Sequence, residues 1–319
     1  MTRAILEHDD VTVDGEGALD ITSLIEAGSP FWLDVEDPTD ETIDLIASAL
    51  DLHELAVEDS KRFGQRAKLV RYGDVAMVVG FGLDTESGHT IEVHGYFSDH
   101  AVVTLRRQPS VAIAALHRSG SVRALLGSQP LVVLHHLASK LHEQFPAYID
   151  QLERRLSEVE ASMVDDPRPE HLAEVTTIRQ HADELRRALA PGRDLAARTL
   201  STSVLPGLAD DAELYAHDIA DELRLIVGDL VAVSEQCVAA LGLHASLASN
   251  RQAATSRQLA GVATVFLPIS FVVGFFGMNF DVLVNDFEQG WVVFVLFGVV
   301  LNVACVIGTI WWLGRRGWR

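Results

Sequence analysis

The chain has 319 residues, 48% of them hydrophobic, and a formal net charge of −20. A body so acidic repels phosphate backbones, which excludes a nucleic-acid partner and suits cations. The two cysteines, Cys237 and Cys305, lie far apart and exclude a disulfide framework or a cysteine metal site.

The opening stretch MTRAILEHDD lacks the basic-then-apolar layout of a signal peptide. Up to about residue 125 the chain reads as α/β. FWLDV (Phe31–Val35) has the composition of a short strand. TDETIDLIASAL has helical spacing, with Thr39 placed to cap it. KLVRY, VAMVVGFGL, TIEVHGYF and AVVTLRR are strand-like runs separated by Gly, Asp and Ser turns. With no helix between them, they predict an antiparallel or mixed sheet.

After Pro130 the texture changes to Leu, Ala, Glu and Arg, with proline confined to breaks. This predicts helices over 130–163 and 170–201. A third runs from about Ala209 through Pro268 to Phe276. At 1.5 Å per residue that helix is roughly 100 Å long. It needs neighbours, from its own chain or from copies.

The charge is uneven. From Arg251 onward there are five basic residues and three acidic ones, which leaves 20 basic and 42 acidic before that point, a net of −22. Gln258 to Phe280 and Trp291 to Gly314 carry no formal charge. Each run has the length of a membrane-spanning helix, and the short loop between them makes a hairpin. Arg251 and Arg257 precede the first span, Arg315, Arg316 and Arg319 follow the second, and the loop has no Lys or Arg. The positive-inside rule puts both termini in the cytoplasm and the loop outside. Trp291, Trp311 and Trp312 sit where interface anchors belong. The chain therefore divides into a cytoplasmic α/β domain (1–125), a cytoplasmic helical stalk (126–257) and a two-helix membrane domain (258–319).

Two helices cannot enclose a water-filled pore. Ser256, Ala263, Leu267, Ser270, Gly274 and Gly277 share one helix face and are mostly small or weakly polar. Such a stripe either packs helices closely in lipid or lines a pore built from several copies. The chain's four asparagines, Asn250, Asn279, Asn285 and Asn302, all lie in or near this part.

The first span closes on Gly277-Met278-Asn279. One reading is a helix terminator, with Asn279 bonding its own turn. The other concerns Mg2+, which dehydrates reluctantly. A ring of neutral Asn279 amides can accept hydrogen bonds from the ion's water shell without trapping it. Asp281, Asp286 and Glu288 outside would concentrate cations.

Here the sequence resembles a family. FLPISFVVGFFGMNF (Phe266–Phe280) looks like the signature of the CorA family of divalent-cation channels. Phe266, Pro268, Phe271, Gly274, Gly277, Met278, Asn279 and Phe280 fall where that signature has them. His53-Glu-Leu-Ala-Val-Glu58-Asp59 and Gln65-Arg66-Ala67-Lys68 are similar to the family's N-terminal helix-and-strand motif. The resemblance covers essentially the whole chain. It implies an α/β/α cytoplasmic sandwich above a helical funnel, and a homopentamer whose first spans line the pore. It also implies regulatory Mg2+ sites between subunits. Counting back from Gly-Met-Asn, the stalk aspartate falls on Asp218. Its partner across the interface falls on Asp59, with Glu58 beside it. These three acids are otherwise a solvated face of an acidic protein.

The sequence departs from the family where Mg2+-transporting members follow Gly-Met-Asn with Met-Pro-Glu: here it is Asp281-Val-Leu-Val-Asn285. Three readings follow. The first is a Mg2+ channel gated by cytoplasmic Mg2+. The second is a relative carrying Zn2+, Co2+ or Ni2+. The third is a two-span membrane sensor. Imidazole suits Zn2+, yet none of the 13 histidines lies in either span. His217, next to Asp218, is the one to test. No Gly-rich phosphate loop, nucleophile elbow or His-Glu-x-x-His helix points to an enzyme.

Overall fold

The computed structural model describes residues 2–6, 10–13, 30–98, 101–126, 130–199, 212–278 and 291–315. It separates into two compact units, Met1–Leu241 and Gly242–Arg319.

The first unit is built on a seven-stranded sheet of order β2-β1-β3-β7-β6-β5-β4. The strands are β1 (Thr2–Leu6), β2 (Asp10–Val13), β3 (Phe31–Glu36), β4 (Lys68–Tyr72), β5 (Val75–Leu83), β6 (Thr90–Phe97) and β7 (Ala101–Arg106). The sheet is mixed. Among the described residues one pairing, β3 with β7, is parallel and the others are antiparallel. The four later strand predictions and FWLDV are all observed; β1 and β2 are additional.

Helices cover both faces, and β6 shows why. Side chains alternate along a strand. Ile91, Val93 and Phe97 join a buried cluster with Trp32, Ile113, Leu116, Val133 and Leu137. The layer they meet comprises α3 (Val111–Ser119), α4 (Ser121–Leu126) and α5 (Pro130–His142). His94 and Tyr96 point the other way, to α2 (Glu54–Arg62), which packs beside α1 (Asp40–Leu50). There Tyr96 donates to the Ala56 carbonyl at 2.8 Å, and Ser60 Oγ bonds His94 Nδ1 at 3.0 Å. The result is an α/β/α sandwich. Thr39 caps α1 as predicted: its hydroxyl accepts from the Thr42 N–H at 3.2 Å.

The predicted 130–163 helix is two helices. α5 ends at His142 and α6 runs Gln144–Asp165. Pro146 explains the break, since it has no N–H to donate to the His142 carbonyl. The chain restarts so that Pro146 falls in a first turn. α7 (Pro169–Thr199) places Pro169 at its first position. α8 then runs unbroken from Ala212 to Phe276.

A buried charge network sits at the carboxyl ends of the parallel strands β3 and β7. Arg106 Nη2 donates to Asp34 Oδ2 at 3.0 Å, and Thr104 Oγ1 donates to Asp34 Oδ1 at 2.7 Å. Glu36 pairs with Arg106 at 2.7 Å, and His117 reaches Asp34 at 3.4 Å while stacking on Trp32. Burial alone pushes the Asp34 carboxyl up. The contacts with His117, Arg106 and Thr104 reverse this and hold it below its usual value. A depressed carboxylate stabilises the fold above its unfolded pKa, and the contribution is lost as pH falls through the folded value. Arg106→Ala removes the guanidinium from buried Asp34 and leaves it only Thr104 and His117, which should cost about 3–5 kcal/mol. Denaturant unfolding of the purified variant checks this, and acid should narrow its gap to the parent protein. An unchanged midpoint would show the network to be dispensable.

Candidate ion path and regulatory acids

The last part of α8 is the first predicted span. Among the described residues two helices are long and apolar enough to cross a membrane, this one and the stretch Val295–Trp312. None of the residues in their most apolar stretches is buried within the single chain. Phe266, Leu267 and Phe271 are 63%, 68% and 73% exposed, which is incompatible with a soluble protein's core helix. Lipid or further copies must cover them.

Because α8 is continuous, Ser256, Ala263, Leu267, Ser270 and Gly274 do lie along one helix face, and all are exposed in the single chain. Pro268 sits inside the helix and cannot donate to the Thr264 carbonyl. The helix ends at Phe276. Gly277 donates to the Val273 carbonyl at 2.9 Å and Met278 to that of Phe275 at 3.3 Å. Gly277 thus follows the helix where a terminating glycine belongs, yet is not among the residues with positive φ. Asn279, Asp281, Asp286 and Glu288 lie outside the described residues.

The second span begins with a short helix, Trp291–Val293, passes through a π-helical stretch, Phe294–Val300, and continues as α9 (Leu301–Arg315). Asn302 spends its amide N–H on the Gly298 carbonyl at 2.8 Å. At its end Arg315 lies over the Trp311 ring, 4.5 Å from the centroid. A cation on an interfacial tryptophan fits the edge of a bilayer.

The three acids named for regulation all have partners within the chain. Glu58 and Asp59 stand on α2. Glu58 pairs with Arg62 one turn on at 3.2 Å, and Asp59 with Lys68 on β4. Asp218, on the first turns of α8, accepts from His135 Nε2 of α5 at 2.8 Å. One turn further, Glu222 receives His142 at 3.0 Å and Ser139 at 2.8 Å. The His142 hydrogen bond, aided by Ser139, outweighs partial burial and lowers the Glu222 pKa. The neighbour that matters to Asp218 is therefore His135, not His217, which is exposed. The sequence alone does not pair His135 or Lys68 with these acids. The signal available was spacing: His135, Ser139 and His142 share one face of α5, as Asp218 and Glu222 share one face of α8. Among the described residues no group of three or more His, Cys, Asp or Glu is arranged to hold a metal within one chain.

A family model described as "CorA-like Mg2+ transporter protein" matches residues 28–316. The chain belongs to the CorA-like Mg2+ transporter family. Its architecture agrees with a solved CorA magnesium transporter from Methanocaldococcus jannaschii. The TM-score is 0.84 over 100% of this chain and 99% of that one, at 16% identity. At so low an identity the CorA likeness speaks for the fold. Among curated relatives, YfjQ of Bacillus subtilis, named for metal ion transport, is 29% identical over 90% of this chain and 89% of its own. The zinc transport protein ZntB of Yersinia pseudotuberculosis is 24% identical over 96% of this chain and 94% of its own. Divalent cation transport is the function common to the CorA family, and the two apolar helices are consistent with a membrane location.

Proposed function

We propose that five copies of this chain form a Mg2+ channel in the cell membrane, closed by cytoplasmic Mg2+. The observation that carries the reading is the end of α8. It is an uncharged helix with no residue of its apolar stretch buried in the single chain, and its one-sided stripe leads to Gly277-Met278 and, next in sequence, Asn279. Two spans cannot surround water, so copies must. Ser256, Ala263, Leu267, Ser270 and Gly274 then face the axis, and a ring of Asn279 at the outer mouth accepts hydrogen bonds from the hydrated ion. Asp281, Asp286 and Glu288 raise the cation concentration there. Residues 1–125 and 126–257 form a cytoplasmic funnel, and residues 258–319 form the pore, with both termini inside. Glu58 and Asp59 of one subunit and Asp218 of the next bind the inhibiting Mg2+.

A second reading has specific support. The ZntB relatives are named for zinc, and the residues after Asn279 differ from Met-Pro-Glu. In this version the same pore carries Zn2+, Co2+ or Ni2+. One assay separates the two. Pure protein in liposomes is loaded with a Mg2+ reporter and challenged with each competing ion. Mg2+ entry that excess Zn2+ does not displace is the expected result. Zn2+ entry without Mg2+ entry reassigns the cargo, and no flux of any divalent ion favours a two-span sensor.

A further inference from the structure

Two unmet hydrogen-bonding groups lie at one depth in the spans. Pro268 stands inside the first span and leaves the Thr264 carbonyl without its helical donor. Asn302 is the one carboxamide between Trp291 and Gly314. Its Nδ2 donates to the Gly298 carbonyl at 2.8 Å, which fixes the orientation of the amide. Its Oδ1 is enclosed and has no hydrogen-bond partner. The middle of the uncharged run Gln258–Phe280 is Ile269, and the middle of Trp291–Gly314 falls between Asn302 and Val303. Both groups therefore sit near the centre of a bilayer, where water is absent and a backbone carbonyl opened by proline is satisfied by a neighbouring helix.

The pattern of exposure puts them face to face. On the first span Thr264, Pro268 and Val272 are partly shielded, and Leu267 is exposed. On the second Asn302, Cys305 and Thr309 are partly shielded, and Val303 is exposed. Each trio recurs at three- or four-residue steps, which is one helix face. The two spans belong to the same compact unit, and in a hairpin these faces cover one another, with Asn302 level with Pro268. The stripe through Ala263, Leu267, Ser270 and Gly274 falls on the opposite side of α8. We propose that Asn302 is a positioning residue for the first span. Its second Nδ2–H donates to the Thr264 carbonyl that Pro268 frees, and its Oδ1 accepts the Thr264 hydroxyl. In this structure that hydroxyl donates to the Ala260 carbonyl at 2.7 Å, which the Thr264 N–H already serves in a regular helix, so a rotation of the threonine side chain redirects it. The joint holds the proline turn against the second span, behind the stripe. Its effect on flux rests on the pore proposed above; the joint itself rests only on the two spans.

The test is a double-mutant cycle on the full chain in lipid nanodiscs. In hydrocarbon a leucine is better placed than an unpaired carboxamide, so without the joint Asn302→Leu should raise the melting temperature. With the joint, Asn302→Leu should lower it, and Asn302→Gln, which keeps the amide, should restore part of the loss. Pro268→Ala returns a backbone N–H to the Thr264 carbonyl, and in that background the destabilising effect of Asn302→Leu should largely vanish. Thr309→Val, on the same face, should shift both backgrounds equally. Liposome flux should follow the same pattern, falling by roughly three- to twentyfold with Asn302→Leu, the range set by hydrogen bonds between membrane helices. A melting temperature raised by Asn302→Leu, or lowered equally in both backgrounds, would overturn the joint. Flux unchanged by Asn302→Leu would overturn its positioning role. The melting cycle decides the joint whether or not the parent protein carries ions.

Discussion

Asn279→Ala should abolish divalent cation flux while leaving the assembly intact. The side chain is absent from every subunit at once, so the ring loses all of its amide oxygens together. A hydrogen bond to a charged partner contributes about 1.5–3 kcal/mol. One such bond per passing ion sets the rate back by roughly ten- to a hundredfold, and two by a hundredfold or more. Mg2+ cannot compensate by shedding water, because it dehydrates reluctantly. Asn279→Asp should also conduct poorly, for the opposite reason: a ring of charges binds a divalent ion too tightly to release it. Liposome flux gives the rates, and native mass measurement should find five chains in every variant. Near-normal transport by an Asn279→Ala pentamer would move selection away from this residue, to the stripe between Ser256 and Gly274.

The elements legible in sequence are those whose signals are local. Thr39 before an amphipathic run, and strands β4 to β7 punctuated by Gly and Asp, need no knowledge of the rest of the chain. The uncharged spans are local too, since length and charge define them. α3 also carries a local signal: Ser110 caps it through the Ile113 N–H, and Gly120 ends it with φ +65°. Other features depend on distant partners. The parallel pairing of Phe31 with Ala101 crosses 70 residues, and no local pattern announces it. β1 and β2 are short and interrupted by charge, and pairing to β3 defines them. At the candidate site, the carboxylates could be chosen from the sequence by family resemblance, but their partners could not. Asp218 meets His135 across 83 residues. Asp59 meets Lys68 only because β4 returns past α2.

Those partners sharpen what the regulatory acids should do. In the single chain Asp59 and Asp218 are held by Lys68 and His135, so the proposed Mg2+ site between subunits requires these partners to be displaced or shared. A ligand shifts a conformational equilibrium only by its differential affinity for the two states. Removing the carboxylates removes that difference. Asp59→Asn combined with Asp218→Asn should therefore conduct at cytoplasmic Mg2+ concentrations that silence the parent protein, with permeation itself unchanged. The opposite substitutions should act in the opposite direction. Lys68→Met and His135→Gln keep the carboxylates and remove their competitors. An exposed ion pair is worth about 0.2–1 kcal/mol. Freeing one should lower the inhibiting Mg2+ concentration by at most about fivefold. The two sets of variants together separate a ligand site from a structural one. Were the acids simply braces between α2 and β4 and between α5 and α8, both sets would loosen the fold in the same way and shift inhibition in the same direction. Flux measured against cytoplasmic Mg2+ reads the result: shifts of opposite sign support the site, and shifts of one sign, or none, place regulation elsewhere.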